Sequence, residues 1–152
     1  MGIITVGVDV GGTKIQSAAM RAKKVVGSAR MGTPLPGAED VSAAIGDAVT
    51  KALADAGAQL SDLIALGIGA PGAIDSAAET VSSSPNLPGF RGLEAVPLGA
   101  MVSQALGGVV VKLDNDVRVA ILGEWKRGVG RGYRHLLGVW VGTGVGGGLV
   151  LD

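Results

Sequence analysis

The chain has 152 residues, of which 47% are hydrophobic and 17% charged; 13 basic side chains balance 13 acidic ones, and cysteine is absent. This composition is typical of a globular protein with one substantial core, and it shows no charged tail of the kind that binds nucleic acid. The lack of cysteine excludes disulfides and any thiolate zinc site within these residues. Because the start lacks the basic region of a signal peptide and no apolar run approaches the ~18–20 residues that span a bilayer, we expect a cytoplasmic protein.

The first part of the chain predicts three strands and a helix. Three apolar runs with strand character are separated by short turns, over residues 3–10, 13–20 and 25–31. Strands joined by tight turns predict an antiparallel meander. The apolar positions of residues 41–53 then recur on one helical face, with Asp40 as the predicted N-cap and Gly57 as the stop.

The rest of the chain predicts strands that alternate with helices. We expect strands over residues 63–68, 109–113 and 136–141, and helices over residues 96–106 and 117–125. Residues 73–92 are predicted to be irregular, residues 142–148 to form a turn, and residues 149–152 to begin a last strand. A meander followed by crossover helices predicts a mixed sheet flanked by helices, with Trp125, Trp140 and Phe90 in the core.

The segment GVDVGGTKIQ, residues 7–16, has the composition of a phosphate site. It matches neither the P-loop nor the dinucleotide-binding pattern, because the residues after its glycines have strand rather than helix character. As a β-turn-β unit, its glycines would permit positive φ and let backbone N–H groups approach an anion, while Thr13 donates and Lys14 neutralises charge. Asp9 could hold a hydrated Mg²⁺. A plain hairpin explains the composition equally well.

Two further segments carry candidate chemistry. VGTGVGGGLV, residues 141–150, is by itself most simply a glycine hairpin, but paired with the first turn it makes a phosphate clamp more credible. LDND, residues 113–116, follows a strand and opens a helix, so Asn115 or Asp116 would cap that helix. At the carboxyl end of a strand, a carboxylate there could also take a proton from a substrate hydroxyl. Gly72 and Asn86 could add polar groups, or could serve only as turn residues.

Five segments together resemble the ROK family of sugar kinases and repressors: DVGGTK, GIGAPGAID, SSPNLPGF, LDNDVRVAILGEW and VGTGVGGGLV, in that order. The resemblance implies an α/β fold of the ribonuclease-H-like, actin/hexokinase-like ATPase type. It places an N-terminal domain with a mixed sheet at residues 1–128 and the first hairpin of a second such domain at residues 129–152. The family continues with a histidine-containing sugar segment, a Cys-rich zinc site and an adenosine pocket, so we expect an N-terminal part only.

The resemblance also implies roles for individual residues. Two sets of residues match the family's motifs for binding the ATP phosphates. The first set is Asp9, Gly11, Gly12, Thr13 and Lys14, and the second is Gly142, Thr143 and Gly144. Mg²⁺ would lie near Asp9, bound through water. Asp116 matches the family's general base. The family's sugar-binding positions correspond to Gly72, Asn86, Asn115 and Asp116. Phe90 stands where the family often has Trp.

The implied activity is that of an ATP-dependent, glucokinase-like hexose kinase, in which the γ-phosphate is transferred to a sugar hydroxyl. We expect the 152-residue chain alone to be inactive, a longer parent to be a homo-oligomer, and neither nucleic acid nor membrane to be a partner. The alternative is the sugar-sensing domain of a ROK-type repressor, which the strand beginning at residue 3 disfavours, because such repressors carry a DNA-binding segment before this region. A sugar-binding lobe without chemistry is a third possibility. The sugar, and ATP versus polyphosphate as donor, stay open.

Overall fold

The computed structural model describes residues 2–34, 37–87, 89–90, 92, 94–141 and 145–152. Within them the strands and helices follow one another as β1 (Ile4–Val10), β2 (Lys14–Arg21), β3 (Lys24–Gly32), α1 (Ala38–Asp55), β4 (Leu63–Ala70), β5 (Ala73–Asp75), β6 (Thr80–Ser83), α2 (Leu98–Ala105), β7 (Val110–Asn115), α3 (Asp116–Arg127), β8 (Leu136–Val141) and β9 (Val145–Val150). None of the helices in this described part is long and apolar enough to cross a membrane.

The central sheet has the strand order β3-β2-β1-β4-β7. β1, β2 and β3 are antiparallel neighbours, whereas β4 pairs in parallel with β1 and with β7. The predicted mixed sheet with an antiparallel meander is confirmed. Because β1, β4 and β7 run in the same direction, their carboxyl ends lie at one edge, where Asp9 is level with Gly69 and Gly69 is level with Asp114.

The principal core lies between this sheet and helices α1 and α2. Every second residue of β1 is buried, from Ile4 to Val10, and the apolar face of α1 covers them. Ser17 of β2 is buried in the same layer, and its hydroxyl donates to the Ala48 carbonyl at 2.7 Å. A Cβ built on Gly27 of β3 would lie 2.8 Å from the Ala56 Cβ, so glycine there lets the C-terminal end of α1 pack directly on the strand.

The opposite face of the sheet is only partly covered. α3 crosses it at Gly69, where a built Cβ would lie 2.7 Å from the Val119 Cγ2. Next to α3, no described atom comes within 4 Å of a Cβ built on Gly7 or Gly67. The result is an open groove of about 1160 Å³ between the sheet, α3 and Trp140.

The hairpin of β8 and β9 forms a second, two-stranded sheet. Its inner face packs on α3, where glycines 138 and 148 lie against Ile121 and Gly146 lies against Val117. Its outer face exposes five aliphatic side chains, those of Leu137, Val139, Val141, Val145 and Leu149. α3 thus contacts both sheets, and the predicted domain boundary after residue 128 stays a prediction.

Several local predictions are wrong. Residues 73–92 are not wholly irregular, because β5 and β6 pair antiparallel around a turn in which Asp75 accepts from the amides of Ala77 and Ala78. α1 begins two residues before Asp40, with Gly37 as an N-cap that makes no side-chain bond. Residues 145–148 belong to β9 rather than to a turn, and Trp140 is 40% exposed. Gly57, at φ 63°, does end the first helix in the way the sequence predicts.

Candidate functional site

The predicted phosphate turn between β1 and β2 is closed by bonds from two directions. The Gly11 amide donates to the Lys14 carbonyl at 2.8 Å. Thr33, just after β3, donates from its hydroxyl to the Gly11 carbonyl at 2.6 Å and from its amide to the Thr13 carbonyl at 3.1 Å. The sequence interpretation missed Thr33, although a hydroxyl directly after a strand that pairs with β2 was the available signal.

The two glycines of this turn do not use the positive φ that glycine permits. Gly12 is required for a different reason, since a Cβ at this position would overlap the carbonyl oxygen of Asn86. The phosphate turn therefore contacts the segment in which the sequence places a sugar ligand.

Asp9 and Asp116, the two predicted carboxylates, line the same groove together with Asp114. The Asp9 side chain remains accessible to solvent inside the groove, but the groove walls remove part of its hydration. This loss of hydration raises the pKa of the Asp9 carboxyl above its usual value, the nearby Asp116 charge raises it further, and the Lys14 ammonium opposes both effects. Two carboxylates that line one groove and interact through their charges create a negative field that suits a cation.

Asn115 caps α3, which decides between the two caps that the sequence left open. Its side-chain oxygen accepts from the amides of Val117 at 3.1 Å and Arg118 at 3.3 Å, and its amide nitrogen donates to the Gly72 carbonyl at 3.2 Å. Asp116, the first residue of the helix, accepts from the Val117 amide at 2.9 Å. One asparagine thus fixes both the start of the helix and its distance from the β4–β5 turn.

Arg118 is the second residue that the sequence interpretation missed. Its Nε lies 3.1 Å from the Asp114 carboxylate, and its Nη2 donates to the Ile74 carbonyl at 3.4 Å. The four-residue spacing of Asp114 and Arg118 was the available signal. The pair neutralises one of the three carboxylates that line the groove and ties α3 to β5.

The structure therefore brings the predicted site residues together in three pairs: Asp9 with Asp116, Gly12 with Asn86, and Gly72 with Asn115. Gly72 has φ +112°, and a built Cβ would lie 2.7 Å from the Ser84 Cβ, so both its conformation and its surroundings require glycine. The remaining phosphate residues, Gly142, Thr143 and Gly144, lie outside the described residues.

A Mg²⁺ ion of the kind that accompanies ATP takes one or two carboxylates and completes its shell with water and phosphate oxygens. Asp9 and Asp116 fit that donor set, since both face the groove and their mutual repulsion would fall on binding a cation. In the part of the chain that the structure describes, no three His, Cys, Asp or Glu side chains gather as a metal cluster.

Comparison with known proteins identifies relatives along nearly the whole chain. The model of the ROK family matches residues 5–152. The glucokinase of Streptomyces coelicolor is 33% identical over 150 residues, a match that covers 97% of this chain and 44% of the relative.

Solved structures give the same result. A ROK hexokinase from Thermus thermophilus superposes with a TM-score of 0.84 at 34% identity, over 98% of this chain and 47% of that one. A ROK family glucokinase from Streptomyces griseus, in complex with glucose and AMPPNP, superposes with a TM-score of 0.83 at 35% identity. The match covers 97% of this chain and 44% of that one. The chain spans about half the length of these relatives, and the predicted actin/hexokinase-like fold class is confirmed.

Proposed function

The chain belongs to the ROK family, and from this membership and the geometry of its groove we propose that it forms the sugar-binding lobe of an ATP-dependent hexose kinase. The observation that carries the proposal is the placement of Asp9 and Asp116 in one groove at the carboxyl ends of β1 and β7. Ligands of open α/β sheets bind beyond the carboxyl ends of the strands, where both side chains stand.

Asp116 is the general base in this proposal. Its carboxylate accepts the proton of the attacking sugar hydroxyl as that oxygen bonds to the γ-phosphorus and the bond from phosphorus to the bridging oxygen of ADP breaks. The Val117 amide, at 2.9 Å, holds one carboxylate oxygen of Asp116 in place. The base therefore needs little rearrangement, which suits a reaction that depends on positioning and on preorganised charge.

The β1–β2 turn would bind phosphate oxygens through its backbone amides, Thr13 and Lys14. Asp9 would bind Mg²⁺ through water, and the ion, when bound, offsets the charge of the phosphate oxygens. Thr33 supports this role, because its two bonds to the turn hold Gly11 and Thr13 without occupying the Thr13 hydroxyl or the Lys14 ammonium.

Glucose is the proposed sugar, because one relative is named a glucokinase and the Streptomyces griseus structure contains glucose with an ATP analogue. Asn86 is exposed, so its amide is accessible to a sugar hydroxyl. The Asn115 amide is already oriented by its bond to the Gly72 carbonyl, so it can offer its second N–H at low cost in side-chain entropy.

The test is a chimera in which this chain replaces the matching part of the Streptomyces coelicolor glucokinase. We expect ATP-dependent glucose phosphorylation by the chimera, and a loss of roughly 10²–10⁴ in kcat in D116N, because the proton acceptor is removed. D75N, which changes a carboxylate in the β5–β6 turn, is the matched control. Near-normal turnover in D116N would remove the general-base assignment. A chimera that binds glucose but never phosphorylates it would favour the sugar-sensing alternative.

A further inference from the structure

The exposed Asn86 stands on a compact loop, which we call the asparagine loop and define as residues 84–87 and 89–90. Its ends are joined by the bond from the Ser84 amide to the Phe90 carbonyl, at 2.7 Å. Inside it, the Leu87 amide donates to Ser84 at 3.1 Å and the Phe90 amide to Leu87 at 3.3 Å. Leu87 and Phe90 are buried in the core while Asn86 points outward. The described part of the loop is therefore held closed by three backbone hydrogen bonds of its own.

Gly12 of the phosphate turn contacts this loop directly. The three atoms nearest to a Cβ built on Gly12 all belong to Asn86: its carbonyl oxygen, its carbonyl carbon at 3.3 Å and its own Cβ at 3.8 Å. The φ of Gly12 is not positive, so its backbone conformation would tolerate an L side chain. The approach of Asn86, 74 positions along the chain, is what requires glycine here.

The asparagine loop also contacts the start of α1. Gly89, at φ +80°, lies so close that a built Cβ would be 2.8 Å from the Ala38 nitrogen and from Gly37. A methyl group added at Gly12 would overlap Asn86, in a loop that also contacts α1, and we expect the overlap to be relieved by a displacement of Asn86.

We propose that Gly12 is a positioning residue, whose missing side chain sets the position of Asn86 relative to the phosphate turn. This assigns Gly12 to the sugar side of the site rather than to phosphate binding, and its sugar role rests on the proposed function. The two bonds from Thr33 hold the turn, so an added side chain moves the loop rather than the turn.

The first test measures the loop itself in the 152-residue chain, by amide hydrogen exchange of wild type, G12A and G32A. G32A is the control, since a Cβ on Gly32 meets no described atom within 4 Å. We expect G12A to speed exchange at Leu87 and Phe90 by at least about tenfold, with the β1 amides unchanged, and G32A to change neither. Exchange within twofold of wild type at both loop amides, or equal acceleration throughout the chain, would overturn the proposal.

The second test measures the binding of glucose and of inorganic pyrophosphate by calorimetry. G12A should raise the dissociation constant of glucose at least about tenfold and that of inorganic pyrophosphate by less than twofold. The opposite pattern, with pyrophosphate weakened and glucose unchanged, would make Gly12 a phosphate ligand and refute the proposal. If the wild-type chain does not bind glucose, the proposed function fails for this chain. The exchange experiment still tests whether Gly12 sets the position of the asparagine loop.

A third measurement covers the case in which G12A does not fold. In the wild-type chain, we expect a nuclear Overhauser effect between a Gly12 Hα and the Asn86 side chain, and we expect it to persist at saturating pyrophosphate. Its absence in the free chain would show that the turn and the loop are not in contact and would refute the proposal.

Discussion

Replacement of Asn115 by Ala should destabilise the chain by about 2 kcal/mol. The side chain makes two kinds of bond, and the variant loses both. As the N-cap of α3 it accepts from the amides of Val117 and Arg118, and such a cap contributes about 1 kcal/mol. As a donor to the Gly72 carbonyl it makes one further hydrogen bond of about 1 kcal/mol.

Urea unfolding of the 152-residue chain measures this loss. With a denaturant dependence of about 2 kcal/mol per molar urea, the midpoint should fall by about 1 M. N115S is the matched variant, because serine keeps a capping oxygen without adding charge beside Asp114 and Asp116, but its shorter side chain cannot donate to Gly72, so its loss should be about half as large.

Two results would refute this reasoning. One is a free energy of unfolding for N115A within about 0.5 kcal/mol of wild type, which would mean that the cap and the bond to Gly72 contribute little. The other is equal destabilisation of N115A and N115S, which would mean that the capping oxygen is not used. Only in the first case would Asn115 be free for a ligand alone.

Three further predictions concern the same chain. D9N, measured in EDTA, should be slightly more stable than wild type at pH 7. Because the pKa of Asp9 is raised in the folded state, the stability of the wild type falls as the pH rises from about 3.8 through the folded pKa, and asparagine removes that fall. Equal stability of the two proteins at pH 7 would contradict this prediction. G27A should lose about 1–3 kcal/mol in urea unfolding because its methyl overpacks the β3–α1 contact, whereas an unchanged midpoint would show that α1 can shift. S17A should lose about 1 kcal/mol with its buried bond to Ala48, and no loss would mean that this bond is replaced.

The sequence predicted the sheet well because its signals are local. Alternation in β1 and the spacing of apolar residues in α1 each follow from one buried face, so strand and helix could be recognised without knowing their partners. The short β5–β6 hairpin escaped prediction because its strands are three and four residues long and its turn depends on a side-chain acceptor, Asp75. Such a bond leaves no periodic pattern.

The sequence indicated candidate site residues but not how they are arranged. Asp9, Asn115 and Asp116 could be recognised as candidates because each is a polar side chain close to the end of a predicted strand. The reason for glycine at position 12 lies at position 86, and a sequence read along the chain shows no such distant neighbour. The choice between two adjacent caps likewise depended on which side chain faces Gly72, a matter of three-dimensional direction rather than composition.

The cap at the start of α3 also limits how a tilt of this helix would move the residues along it. Its 12 residues give a length of about 18 Å, with the Asn115 cap at one end and the β8–β9 hairpin packed along its side. A swing of about 10° around the capped end would carry the far end through about 3 Å while the Cα of Asp116 moves by about 0.3 Å. Because the hairpin packs on Val117 and Ile121, about 3 and 9 Å from the cap, such a swing would move it by about 0.5–1.6 Å, while the proposed base stays almost still.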